Sequence, residues 1–178
     1  MYPPSSQKSL PWNEVEKQIL KELKWLRERI DTYAEKDQYI TPPNTCKNCL
    51  LRQVAILIVS GEVQACEIKK DSSLPSFWTP SDSTTTTTRI HHGQEWHSKT
   101  MEAIENHFLI QGCQVVREPT LHRGRADLGV YKENELDLLI EVGTVSYFKL
   151  WFNLTTMHKF IYLVVPNDEV LIEFTKYG

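Results

Sequence analysis

No stretch of the chain approaches the roughly 18 consecutive apolar residues of a membrane span, and Met1 to Leu10 is polar and proline-containing. An intracellular, cytoplasmic protein with no membrane partner is therefore expected. Cysteine is scarce at four in 178 residues, few for a disulfide scaffold. Cys46 and Cys49 form a single CxxC, with Cys66 further along and Cys113 in the other half. Zinc would need a fourth ligand, such as His91 or His92, and no second CxxC exists. Ordinary thiols are expected ahead of a disulfide or a zinc site. Positive charge is not in excess either: the formal net charge is −3. Any contact with nucleic acid must come from a local basic patch, and a bound divalent cation would offset an acidic site. The chain has no Walker lysine loop, no nucleotide-binding glycine fingerprint and no GxSxG elbow, which argues against a nucleotide-driven motor and a serine hydrolase. No internal repeat is visible.

What is present describes a globular protein, with 40% hydrophobic and 24% charged residues. Asn13 to Lys36 reads as a helix, with Asn13 as cap, Glu16 at the capping-box position, and Val15, Ile19, Leu23, Leu26 and Ile30 recurring at three and four. It serves packing or pairs with its own copy in a dimer. Leu50 to Ser60 is an apolar run whose β-branched content suits a strand and whose length also allows a helix. Glu62 to Lys69 alternates weakly, like a strand. Asp71 to Thr88 is rich in serine, threonine and proline and lacks a helical period. A boundary placed there divides the chain into an extension over 1–90 and a core over 91–178.

The second half has a clear order. A helix is expected from Gly93 to Ile110, with Met101, Ile104 and Phe108 on one stripe and Gly112 as its stop. Strands follow over Cys113 to Glu118, Ala126 to Tyr131 and Leu136 to Val142. A helix over Val145 to Leu154 and a buried strand over Phe160 to Val165 complete an αβββαβ unit. If the hairpin is symmetric about Asn134, Asp127 lies opposite Glu141. Alternation then sends Leu128, Val130, Leu138, Ile140 and Val142 to one apolar face. Two carboxylates facing each other repel unless something positive lies between them, and a divalent cation with oxygen ligands fits that need. The alternative is a pair of exposed sheet-face charges.

GRADLGVY, LLIEVG and the preceding GCQVVREP, in that order of elements, resemble the core of the PD-(D/E)XK nuclease superfamily over roughly residues 93–166. That superfamily includes restriction endonucleases and archaeal Holliday-junction resolvases. The resemblance implies a restriction-endonuclease-like α/β core with a mixed sheet flanked by helices. It also implies a metal-dependent endonuclease that hydrolyses phosphodiester bonds, with DNA the expected substrate and a 5′-phosphate left behind. Asp127 and Glu141 would bind Mg²⁺ or Mn²⁺, together with the Val142 carbonyl. One departure matters: Gly143 stands where the motif lysine belongs. EVGTVSYFKLWFNL looks like the variant that supplies the lysine from the next helix, making Lys149 the candidate and Lys159 and Lys132 weaker substitutes. On the leading helix, His97 matches a Gly-x-x-x-His pattern with Gly93, and Glu102 is preferred to Glu105 as the family's acidic residue. Arg123, Arg125 and Lys99 are candidate nucleic-acid contacts, beside Arg117 and His122 in the same basic stretch. A homodimer is expected, because cutting two strands needs two symmetry-related sites. The compact size suits a nuclease of archaeal or viral type. Gly143 keeps open a nucleic-acid-binding protein without cleavage, and the CxxC with the tryptophan-bearing first helix motivates an assembly protein.

Overall fold

In a computed structural model of the chain, residues 11–30, 46–69, 94–166 and 170–178 are described. They form α1 (Trp12–Arg29), α2 (Lys47–Val59), β1 (Gln64–Lys69), α3 (Gln94–Ile110), β2 (Gln114–Arg117), β3 (Leu128–Tyr131), β4 (Leu138–Val142), α4 (Tyr147–Thr156), β5 (Phe160–Val165) and β6 (Val170–Lys176). The fold is mixed α/β, with a six-stranded sheet in the order β1-β6-β5-β4-β3-β2. The β4–β5 pair is parallel and the others are antiparallel. A parallel pair cannot be joined by a tight turn, and α4 supplies the crossover.

Alternation assigns the two faces of the sheet. Leu128, Val130, Ile140, Val142, Leu163 and Val165 pack with Met101 and Ile104 of α3 in one apolar cluster. Leu139, Phe160, Tyr162, Val164 and Phe174 join Leu26, Leu51, Val54, Leu150 and Leu154 of α1, α2 and α4 in the other. The expected apolar face of the hairpin and the stripe on the leading helix are both found. The strands expected in the second half occur in the expected order, each within a few residues of its expected limits.

One open reading is decided, one expected cap moves, and one strand is new. The Leu50–Ser60 run lies in helix α2, because Leu50, Leu51, Val54, Ala55 and Leu57 make a buried helical stripe that a strand could not present to a single face. Helix α1 begins at Trp12 with Pro11 as its N-cap, and Asn13 sits inside the first turn, its Oδ1 accepting from the Glu14 N–H at 3.0 Å. Pro11, at φ −54°, has no side-chain acceptor, and its carbonyl accepts from the Glu14 and Val15 N–H groups at 2.9 and 3.1 Å. Residues 31–36 of that expected helix lie outside the described residues. Strand β6 was not anticipated. It receives β1 in antiparallel register from Gln64↔Thr175 to Lys69↔Val170, so the described parts of both halves share one sheet. The Ser/Thr/Pro-rich segment between them lies outside the described residues.

Glu67 fastens α1 to the β1 edge. Its Oε1 accepts from Arg29 Nε and from Trp25 Nε1, both at 2.6 Å. The Arg29 guanidinium holds the Glu67 carboxyl below its ordinary pKa. Among the described residues no helix is long and apolar enough to cross a membrane.

Candidate functional site

The β3–β4 hairpin has the symmetric register read from the sequence: Leu128↔Ile140, Gly129↔Leu139 and Val130↔Leu138. Asn134 takes a positive φ of 63° in its turn, a conformation asparagine tolerates better than most residues. Extending the register by one pair sets Asp127 opposite Glu141. The Asp127 N–H donates to the Ile140 carbonyl at 3.0 Å, and Asp127 Oδ2 accepts from the Val142 N–H at 2.7 Å. His97 Nε2 of α3 lies 3.3 Å from the same oxygen.

Glu141 is 3% exposed, so its charge must be compensated within the fold. Lys149 Nζ lies 2.7 Å from Oε1 and 2.8 Å from Oε2, and the Tyr162 hydroxyl donates to Oε1 at 2.6 Å. Burial dominates all the same. It pushes the Glu141 carboxyl from 4.5 up to about 7, opposed by Lys149 and Tyr162 and reinforced by the charge of Asp127. Burial also raises the Tyr162 hydroxyl well above its ordinary value, with Glu141 adding to it and Asn153 opposing.

Lys149 reaches this carboxylate because of its place in α4. Ser146 caps the helix by accepting the Lys149 N–H at 3.1 Å, which puts Lys149 in the first turn. Helical side chains lean toward the N-terminus, so a first-turn lysine points back over the end of β4. Its stem lies beside Gly124, where an added Cβ would stand 3.6 Å from Lys149 Cε.

Asp127, Glu141, Lys149, His97, Arg123 and Arg125 meet around one cavity of about 350 Å³. The Arg123 guanidinium carbon stands 5.1 Å from the centroid of the Phe148 ring. Arg125 pairs with Glu118 at 3.0 Å. The other candidates fall elsewhere. Glu102 is exposed and is not among the cavity's lining residues, and Glu105 pairs with Arg117. Lys99 pairs with Glu95 at 2.6 Å along the exposed face of α3, also away from the lining. Lys132 pairs with Glu135 at 2.6 Å in the hairpin turn. Lys159 packs near Gly178. Cys46, Cys49 and Cys66 are exposed free thiols, and His91 and His92 lie outside the described residues. Among the described residues no group of three or more His, Cys, Asp and Glu side chains gathers in a metal-holding arrangement.

Two members of the site escaped the sequence reading. Tyr162 sits within FIYLVV and Asn153 within LWFNL, both fully buried. A lone polar group in an apolar run is the signal that would have found them, since such a group needs a buried partner.

Gly143 has φ +94°, and its N–H donates to the Val165 carbonyl at 2.8 Å. An added Cβ would meet Trp96 only at an ordinary contact of 3.8 Å, so the backbone conformation restricts this position more than space does. Gly143→Lys is accordingly expected to destabilise the protein by about 1–3 kcal/mol and to leave the Lys149→Ala variant unrescued. Thermal unfolding and cleavage assays of the single and double variants test this, and a rescued double variant refutes it.

In comparisons with protein-family models, curated proteins and solved structures, none matches this chain.

Proposed function

We propose that this chain is a nuclease dependent on Mg²⁺ or Mn²⁺ that hydrolyses phosphodiester bonds in nucleic acid, with DNA as its first expected substrate. The observation that carries the reading is the buried Glu141 carboxylate with Lys149 against it, in a cavity also lined by Asp127, His97 and two arginines. The order α3-β2-β3-β4-α4-β5 supports a relationship to the PD-(D/E)XK nucleases.

The donors suit a hard divalent cation. Asp127 and Glu141 offer carboxylate oxygens and Val142 a carbonyl, and the Glu141 carboxyl stays raised to about 7 even with Lys149 against it, so a further positive charge would favour its ionised form. A bound metal would polarise a phosphate oxygen and make a water more acidic. The chain's own side chains have distinct tasks. The Val142 N–H and His97 fix the Asp127 carboxylate, and Tyr162 fixes that of Glu141. Lys149 orients the attacking water and stabilises negative charge as it develops on the phosphate. Arg123 and Arg125 grip the backbone without reading sequence. A homodimer would present two such sites to two strands.

A second reading rests on one observation: both oxygens of Glu141 are already satisfied by Lys149 and Tyr162. That arrangement suits a nucleic-acid-binding protein in which an internal ion pair stands where a metal would be needed.

The test is incubation of the wild type with labelled linear, supercoiled and four-way-junction DNA and with single-stranded RNA, in Mg²⁺, Mn²⁺ or chelator. Products that need the metal support the nuclease. Binding with no cleavage of any substrate transfers the conclusion to the second reading. Neither binding nor cleavage removes both.

A further inference from the structure

We infer that Asn153 is a positioning residue that holds the backbone of Arg123 so that its guanidinium clamps a phosphate of the bound strand. The inference deepens the nuclease reading and rests on it. Asn153 lies one turn after Lys149 on α4, between Leu150 and Leu154, and all three flanking and central positions 150, 153 and 154 are fully buried. Leucine would satisfy such a site on packing grounds alone. The amide instead sets both of its polar atoms on the Arg123 backbone: Oδ1 accepts from the Arg123 N–H at 2.8 Å, and Nδ2 donates to the Arg123 carbonyl at 3.0 Å, while the same side chain also hydrogen-bonds the Tyr162 hydroxyl.

Arg123 belongs to a tight turn, closed by the Leu121 N–H donating to the Gly124 carbonyl at 3.0 Å and flanked by the Thr120↔Arg125 bridge. A two-point clasp fixes both the position and the rotation of the Arg123 peptide units. A single hydrogen bond would leave the residue free to swing about it. The clasp comes from the same helix that carries Lys149, so the phosphate grip and the lysine share one rigid support. Arg125 differs in its backbone, which no Asn153 contact holds. It serves as the internal control.

The experiment measures binding of a labelled DNA duplex across a salt series without divalent metal, so that cleavage does not enter. Asn153→Leu, which keeps side-chain volume, and Asn153→Ala are compared with Arg123→Ala, Arg125→Ala and the double variants. Asn153→Leu is expected to weaken binding about five- to tenfold at low salt and to reduce the salt slope by roughly one, as Arg123→Ala does. Adding Asn153→Leu to Arg123→Ala should change little, while its effect should multiply with that of Arg125→Ala. A merely structural Asn153 would weaken binding to the same degree in both arginine backgrounds. Unchanged affinity in Asn153→Leu, or independent effects with Arg123→Ala, overturns the inference and leaves the nuclease reading intact. A wild type that binds no duplex in this metal-free assay overturns the inference, while metal-dependent cleavage decides the nuclease reading separately. The wild type supplies a check that needs no variant: its Arg123 guanidinium resonance must shift more than that of Arg125 on adding duplex. An unmoved Arg123 resonance overturns the inference whatever the variants do.

Discussion

Lys149→Ala is expected to lower metal-dependent cleavage by about 10²- to 10⁴-fold in single-turnover assays, while nucleic-acid affinity changes far less. The ammonium sits within 2.8 Å of both Glu141 oxygens, with its side chain 19% exposed. Asp127→Ala and Glu141→Ala should each cost more than about 10³-fold, because several kcal/mol of charge stabilisation disappear with a ligand of the cation. The lysine variant carries a second signature. Lys149 is the largest influence holding the Glu141 carboxyl down, so its removal lets that pKa rise further. The residual activity of Lys149→Ala should therefore need a higher pH than the wild type. Cleavage that survives both carboxylate changes would sink the site assignment. An unaltered rate in Lys149→Ala would remove the lysine's role.

The second large effect is on stability. Folding raises the Glu141 carboxyl from 4.5 to about 7, so the folded chain holds that proton more tightly than the unfolded chain. The advantage is complete below pH 4.5 and is lost as pH rises to about 7. Above that the ionised group leaves the metal-free protein less stable by on the order of 3 kcal/mol. Glu141→Gln removes this slope. The variant also lacks the Glu141–Lys149 ion pair, so the decisive quantity is the pH dependence of the difference from wild type. That difference should move in favour of the glutamine variant between pH 4.5 and 7 and then level off. Mg²⁺ added at pH 8 should raise the wild-type unfolding temperature and leave Glu141→Gln nearly unmoved. A difference curve that is flat with pH would contradict the burial argument. An equal response of both proteins to Mg²⁺ would remove Glu141 from the cation site.

The parts of this fold that the sequence disclosed are those governed by short periods. The hairpin register follows from counting outward from Asn134, since a slip by one residue would turn every apolar side chain of β3 and β4 to the wrong face. Lys149, His97, Asp127 and Glu141 converge because each stands at the end of an element whose direction was already fixed. Other features depend on the rotation of a helix or on partners distant in the chain. Glu102 and Glu105 differ only in helical phase, and a spacing argument good to one residue could not separate an exposed side chain from one paired with Arg117. Leu50–Ser60 contains enough β-branched residues to suit either structure, and its stripe against α1 and α4 decided for the helix. Tyr162 and Asn153 were hidden by their apolar neighbours, whose periodicity reports burial without reporting hydrogen bonds.

The pairing of β1 with β6 bears on how the molecule is made. Cys66 meets Glu173 across that ladder, a loop closure spanning more than half of the polypeptide. During synthesis the hairpin carrying Asp127 and Glu141 can form from neighbouring residues, and β5 can dock once α4 has turned the chain. The β1 strand must wait, unpaired, until the residues of β6 have left the ribosome. For that interval the nascent chain exposes an open strand beside the apolar face of α2. Folding yield should therefore be more sensitive to changes in β6 and β1 than to changes in the hairpin that bears the chemistry.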